Sequence, residues 1–270
     1  MEIFTIENVK ASDVLENYSY YQDLLIEHKV LGFRNLAPSN KEHEEILKKL
    51  YKENLNTIDL NSEEVGKSNH QGLGIPLDKD DQKFILSNWH VDFLPESFEG
   101  LSYGYISMHM CVFNCAPDAG KTLFINLIDL YQRCPDEYKK NINQKNLELV
   151  NLRGIMPEES LKSRTHRAVG IHPITGESIL FWTGGFGGLN KEDSYILSSN
   201  NEINNEIWFN NFCDWILSEL QNKNNWGVWN WNKDDFIIWD NRALIHSFTA
   251  GWNKEDRIFN RSNIGLEKIL

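Results

Sequence analysis

A chain of 270 residues, 41% hydrophobic and 24% charged, holds enough apolar material for a sizeable core and has the composition of an ordinary globular protein. Its 27 Lys and Arg against 39 Asp and Glu leave a formal charge of −12, which argues against a nucleic-acid backbone as partner. No apolar run reaches the ~18–20 residues of a membrane-spanning helix, and the opening MEIFTIENVKASD lacks the basic-then-apolar order of a secretory leader.

The four cysteines, Cys111, Cys115, Cys134 and Cys213, form no C-x-x-C pair and no disulfide-dense pattern. They are expected to be buried thiols in a reducing cytoplasm. No repeat, low-complexity tract or Pro/Gly/Ser linker divides the chain, so residues 1–270 are expected to form one domain.

The segment 38–54, PSNKEHEEILKKLYKEN, predicts a helix. Ser39 or Asn40 can cap it, and Ile46, Leu47, Leu50 and Tyr51 fall on one face. YGYISMHMCVFNCAP (103–117) and KTLFINLI (121–128), separated by the turn signal PDAG, read as strands. LIDLYQRCPDEYKKNI (127–142) reads as a short helix broken near Pro135, then another. THRAVGIHPITGESILFWTGG (165–185) predicts two strands around an H-P-I-T-G turn. A second long helix is expected over 202–221, and VWNWNKDDFIIWDN (228–241) reads as a hairpin with NKDD in its loop. The fold class is therefore mainly β with flanking helices, a closed or sandwiched β core rather than alternating βαβ units.

Within SNWHVDFLPES (87–97), His90 and Asp92 are two residues apart, so a strand would project both from one face. They supply two thirds of a facial triad, and His246 in FIIWDNRALIHSF can supply the third ligand. Two imidazoles and one carboxylate leave positions open for a cosubstrate and O₂, as a non-haem Fe(II) oxygenase requires, whereas zinc sites are more often four-coordinate. Arg257 and Arg261 in RIFNR would point the same way as Phe259 on a strand, and a guanidinium fork suits a buried carboxylate.

NWHVD (88–92), GKTLF (120–124), RTHRAVGIHPITGESILF (164–181), WDNRALIH (239–246) and RIFNR (257–261) together resemble the TauD/TfdA family of Fe(II)- and 2-oxoglutarate-dependent dioxygenases, in the family's order. The resemblance implies a double-stranded β-helix, or jelly-roll, core. It implies Fe(II) on His90, Asp92 and His246, with 2-oxoglutarate and O₂ as cosubstrates. Thr122 and Arg257 match the positions that hold the distal carboxylate, and Arg261 matches one near the cosubstrate or substrate carboxylate.

In such a centre decarboxylation to succinate and CO₂ yields an oxidant that removes a hydrogen atom from a small-molecule substrate, while the protein positions the C–H bond and excludes water. Asp92 stands where related halogenases carry Gly or Ala, which disfavours chlorination. The expected substrate is a small anionic or amino-acid-derived metabolite, hydroxylated by default, with desaturation or oxidative decarboxylation as alternatives. The family's isonitrile-pathway branch stands beside sulfonate and amino-acid hydroxylases. A catalytically silent jelly-roll metabolite-binding protein and a zinc hydrolase are the rival readings. A homo-oligomer is compatible with all of them.

His70 in KSNHQGLG, together with Phe93, Phe98 and Phe186, are candidates to touch substrate. Trp89 is expected to pack away from His90. Asp240 and Arg242 are expected to build a turn, His166 and His172 to bond backbone, and His109 to be an ordinary strand residue.

Overall fold

The computed structural model describes residues 1–51, 60–65, 89–91, 101–115, 119–151, 165–181, 196–249 and 256–268. The chain opens with β1 (Phe4–Ile6), α1 (Ala11–Glu16), α2 (Tyr18–His28), β2 (Val30–Phe33), α3 (Asn40–Leu50), β3 (Leu60–Val65) and β4 (Leu101–Phe113). Then come β5 (Thr122–Asn126), α4 (Leu127–Arg133), α5 (Asp136–Gln144), β6 (Glu148–Asn151), β7 (Thr165–Arg167), β8 (Val169–Ile171), β9 (Ser178–Leu180) and β10 (Ile196–Ser198). The last third holds α6 (Asn201–Asn204), α7 (Ile207–Gln221), β11 (Gly227–Trp229), β12 (Phe236–Asp240), β13 (Leu244–Phe248) and β14 (Arg257–Lys268).

A six-stranded sheet, ordered β1-β2-β12-β4-β14-β3, forms one layer, and a three-stranded sheet, β11-β5-β13, lies against it. Alternation along β4 separates two cores. Ile106, Met108 and Met110 join Phe124 and Trp239 between the sheets, in one buried cluster with Leu123, Ile125 and Ile245. Tyr105 packs on the other side with Ile46, Leu47 and Leu50 of α3. The result is the jelly-roll sandwich with outer helices that the resemblance implied.

Local chemistry sets several boundaries. Ser39 caps α3 through a capping box with Glu42, so the helix starts where the sequence indicates and is shorter at its far end. The Asn126 carboxamide accepts from the amides of Ile128 and Asp129, which ends β5 before Leu127 and starts α4. The predicted strand 121–128 is therefore cut by a cap. The helix expected over 202–221 is two helices, parted at Asn205 and Glu206. β8 and β9 form the anticipated hairpin, with Ile171 opposite Ser178.

The segment 228–241 is not a hairpin. β11 pairs with β5 and β12 pairs with β2 and β4, so this stretch crosses from the smaller sheet to the larger. Buried Asp235 explains the path, because its carboxylate accepts from Arg34 and from the amides of Asn35 and Asn232. The long-range bonds to Arg34 and Asn35 hold the connection across the sheets instead of letting it fold back on itself. Gly32 lets the sheets meet there, since a Cβ at this position would sit 2.2 Å from the Trp229 ring. The cysteines also depart from expectation in part: Cys134 and Cys213 are buried, while Cys111 and Cys115 are half-buried.

His43 on α3 is buried and shares a 2.7 Å hydrogen bond with Ser107. Burial pulls its imidazole down to about 3, and neighbouring His109 acts in the same direction. Its folded pKa lies below its unfolded value, so protons bind the unfolded chain first and stability falls as pH drops from about 6.5 towards 3. In denaturant titrations between pH 6.5 and 4, His43→Leu should flatten the loss of unfolding free energy by about 1 kcal/mol per pH unit. Parallel slopes for the two proteins would show that His43 is not the acid-sensitive group.

Candidate active site

His246 sits mid-strand in β13, with Phe124 of β5 opposite it on one side. On its other side the backbones of His90 and His246 exchange reciprocal N–H···O bonds, both 2.9 Å. Residues directly opposite in an antiparallel bridge project to the same face. The two imidazole rings accordingly lie side by side, with centroids 4.2 Å apart and planes inclined at 49°. Val91 and Trp89 are buried on the opposite face, and Trp89 packs on Trp226 at 5.9 Å. That is the packing role expected of Trp89.

This pair passes the chemical test for a metal. Two imidazoles at this separation can each offer a nitrogen to one ion at about 2.1 Å. Asp92, the expected third ligand, lies outside the described residues, as do His70, Phe93, Phe98 and Phe186. Among the described residues no group of three His, Cys, Asp or Glu side chains is placed to hold an ion.

Thr122 stands opposite Phe248, two residues beyond the Phe124–His246 pair. Strand alternation puts Thr122 on the face that carries His246. Its hydroxyl is buried and accepts a 2.9 Å hydrogen bond from the indole N–H of Trp231. Trp239, on the larger sheet, reaches His246 with ring centroids 5.1 Å apart. The histidine face of the smaller sheet therefore looks towards the larger one.

The arginines stand on that larger sheet. Phe259 and Arg261 are opposite Met110 and Met108, whose side chains lie between the sheets, and Arg257 is opposite Phe113. Phe259 and Arg261 share one face of β14, and beyond a register shift between Ile258 and Phe259 the Arg257 guanidinium still lies over the Phe259 ring. Arg257 is 4% exposed, and its guanidinium carbon lies 4.7 Å from the Phe259 ring centroid. Burial draws its pKa down to about 10 while nearby Cys115 pushes it up, so the group remains a cation at neutral pH. Arg261 is half-buried and donates through Nε to Asn263 Oδ1 at 3.2 Å.

Asp240, Arg242 and His172 form a separate buried network. Asp240 Oδ1 accepts from the Arg242 amide and Nε, and Oδ2 accepts from Arg242 Nη2 at 2.8 Å and His172 Nε2 at 3.0 Å. Burial alone would raise the Asp240 carboxyl, but Arg242 and His172 outweigh it and hold the group well below the usual carboxylate range. His172 Nδ1 accepts from the Thr175 amide at 3.1 Å, which leaves the ring proton on Nε2. Asp240 and Arg242 thus make a turn, as expected, and His172 bonds backbone while also bracing that turn from the β8–β9 hairpin. This long-range brace carries no local signal in the sequence. His109 is a strand residue beside Cys111, and the His166 side chain lies outside the described residues.

Sequence comparison matches residues 4–262 to the taurine catabolism dioxygenase TauD, TfdA family, and the chain belongs to that family. By class it is an Fe(II)- and 2-oxoglutarate-dependent dioxygenase. No curated protein matches it in sequence. Among solved structures it is similar to AAD-2 in complex with Mn(II) and N-oxalylglycine, at 16% identity and TM-score 0.66, covering 100% of this chain and 97% of that one. It is also similar to a taurine dioxygenase from Burkholderia xenovorans, at 16% identity and TM-score 0.61, covering 97% and 88% of the two chains.

If Asp240 braces the turn, Asp240→Asn strands a buried guanidinium and should cost about 3 kcal/mol of unfolding free energy. The metal bound per folded molecule should stay unchanged. A variant of normal stability that has lost its metal would instead make Asp240 a ligand.

Proposed function

We propose that His90, Asp92 and His246 hold Fe(II), that Thr122 and Arg257 hold the distal carboxylate of 2-oxoglutarate, and that the enzyme oxidises a small anionic or amino-acid-derived metabolite. The observation that carries this reading is the His90–His246 pair, two imidazoles set 4.2 Å apart on one face by their own backbone bonds. The bound metal and cosubstrate would supply O₂ activation, with succinate and CO₂ as co-products.

The chain's own residues do the rest. Arg257 offers a buried, charged fork to a carboxylate, and Thr122 offers a hydroxyl from the facing sheet. Arg261 sits four residues beyond Arg257 along the same strand and is suited to an anionic group on the substrate. Phe259, Met108 and Trp239 keep this interior apolar, which strengthens charge pairing and excludes water. Asp92 would complete the triad, which separates the proposed reaction from halogenation. Hydroxylation is the default outcome, with desaturation and oxidative decarboxylation open to the same centre, and amino-acid-derived substrates include those of isonitrile pathways. His70, Phe93 and Phe186 are proposed as substrate contacts, in a cytoplasmic enzyme.

The test is spectroscopic. Fe(II) with 2-oxoglutarate under anaerobic conditions should give a visible charge-transfer band. His90→Ala and His246→Ala should abolish it, and Arg257→Ala should raise the 2-oxoglutarate needed by about a hundredfold, as expected for losing a buried charged partner. A screen of small acids and amino-acid derivatives should then yield substrate-dependent succinate. No band and no succinate would favour a silent metabolite-binding protein. Turnover supported by zinc and indifferent to 2-oxoglutarate would favour a hydrolase.

A further inference from the structure

The geometry points to Trp231 as a positioning residue for 2-oxoglutarate: its indole N–H fixes the polarity of the Thr122 hydroxyl so that the hydroxyl proton is donated to the cosubstrate's distal carboxylate. This inference rests on the cosubstrate reading above and names a residue that neither the motifs nor the family resemblance assigned.

An indole nitrogen can only donate, so in the 2.9 Å contact with Trp231 the Thr122 oxygen must accept. That uses one lone pair and leaves the hydroxyl proton for another acceptor. A carboxylate is an acceptor only, and a hydroxyl already accepting a hydrogen bond is a better donor to it. Without the indole, a threonine hydroxyl could rotate and spend its proton on a backbone carbonyl.

The indole itself is held in place. Trp231 is 3% exposed and lies two residues past Trp229, which is directly opposite Thr122 in the strand register. The Trp229 and Trp231 rings meet at 90° with centroids 6.1 Å apart. Trp229 in turn rests on Gly32 and lies beneath the Arg34 guanidinium, 3.7 Å from its ring centroid. The backbone before Thr122 is also pinned, because the Lys121 amide donates to Thr249 Oγ1 and the Thr249 amide donates to the Lys121 carbonyl, both at 2.9 Å. Donor and acceptor are thus fixed independently, one through the connection between the sheets and the other through β5.

The experiment measures equilibrium binding of 2-oxoglutarate to the Mn(II)-loaded protein by calorimetry, so no substrate or turnover is needed. Trp231→Phe, which keeps an aromatic ring and loses the N–H, should weaken 2-oxoglutarate about fivefold, and Thr122→Val about tenfold or more. The double variant should be no worse than Thr122→Val, because Trp231 acts through that hydroxyl. Binding of 2-oxobutyrate, which keeps the 2-oxo acid end and lacks the distal carboxylate, should be the same in wild type and Trp231→Phe. A purely packing role would weaken both ligands alike.

Additive losses in the double variant, or an unchanged Trp231→Phe, overturn the role of Trp231 while leaving the cosubstrate reading intact. Failure of the wild-type Mn(II) protein to bind 2-oxoglutarate at all overturns both. Should Trp231→Phe not fold, the Trp231 indole N–H resonance of the zinc-loaded wild type decides the matter. It should shift with 2-oxoglutarate and not with 2-oxobutyrate, and a resonance indifferent to 2-oxoglutarate contradicts the inference.

Discussion

The reciprocal backbone bonds between His90 and His246 are what the rest of the site depends on. These residues are far apart in sequence, and only a hydrogen-bonded bridge puts them opposite one another at the edge of the smaller sheet. Once they are opposite, the pleat decides everything else locally: both imidazoles take one face and Val91 takes the core. The two histidines are held side by side on one face by the backbone pairing of the sheet. Such preorganisation spares much of the ordering cost that a flexible site would pay on binding.

The second half of the site depends on how the two sheets are held together. Trp239 spans the gap to His246, and Trp229 settles onto Gly32, whose missing side chain makes room for it. Face-to-face sheets normally stand about 10 Å apart, a gap that the long side chains of Arg257 and Arg261 can bridge. Charge follows the same division. A protein of net charge −12 repels a dianion at long range, so attraction must come from buried cations at close range, where salt screens them least. Arg257 is a buried cation, and its depressed pKa still leaves it charged at neutral pH.

Much of this was legible in the residues. The RIFNR spacing depends on strand alternation, which β14 follows for Phe259 and Arg261, while its register shifts between Ile258 and Phe259. His246 falls on a strand opposite His90, and Asp92 lies outside the described residues. The α3 start was legible because Ser39 and Glu42 act locally. What could not be read depends on distant partners. The tract 228–241 has the alternation of a hairpin, yet Asp235 bonds to Arg34 and Asn35 and carries the chain into the other sheet. The strand over 121–128 stops early because a carboxamide at Asn126 outcompetes the ladder. Trp231 gave no sign of its bond to Thr122, since one tryptophan among nine looks like core until the fold places its N–H. His172 likewise shows its attachment to Asp240 only in three dimensions.

The most direct measurement is an anaerobic crystal structure of the protein with Fe(II) and 2-oxoglutarate. One ion should be bound by the imidazoles of His90 and His246 and the carboxylate of Asp92, with the far end of 2-oxoglutarate between Thr122 and Arg257. An ion bound elsewhere, or a His90–His246 pair left unligated while 2-oxoglutarate binds at another site, would contradict it.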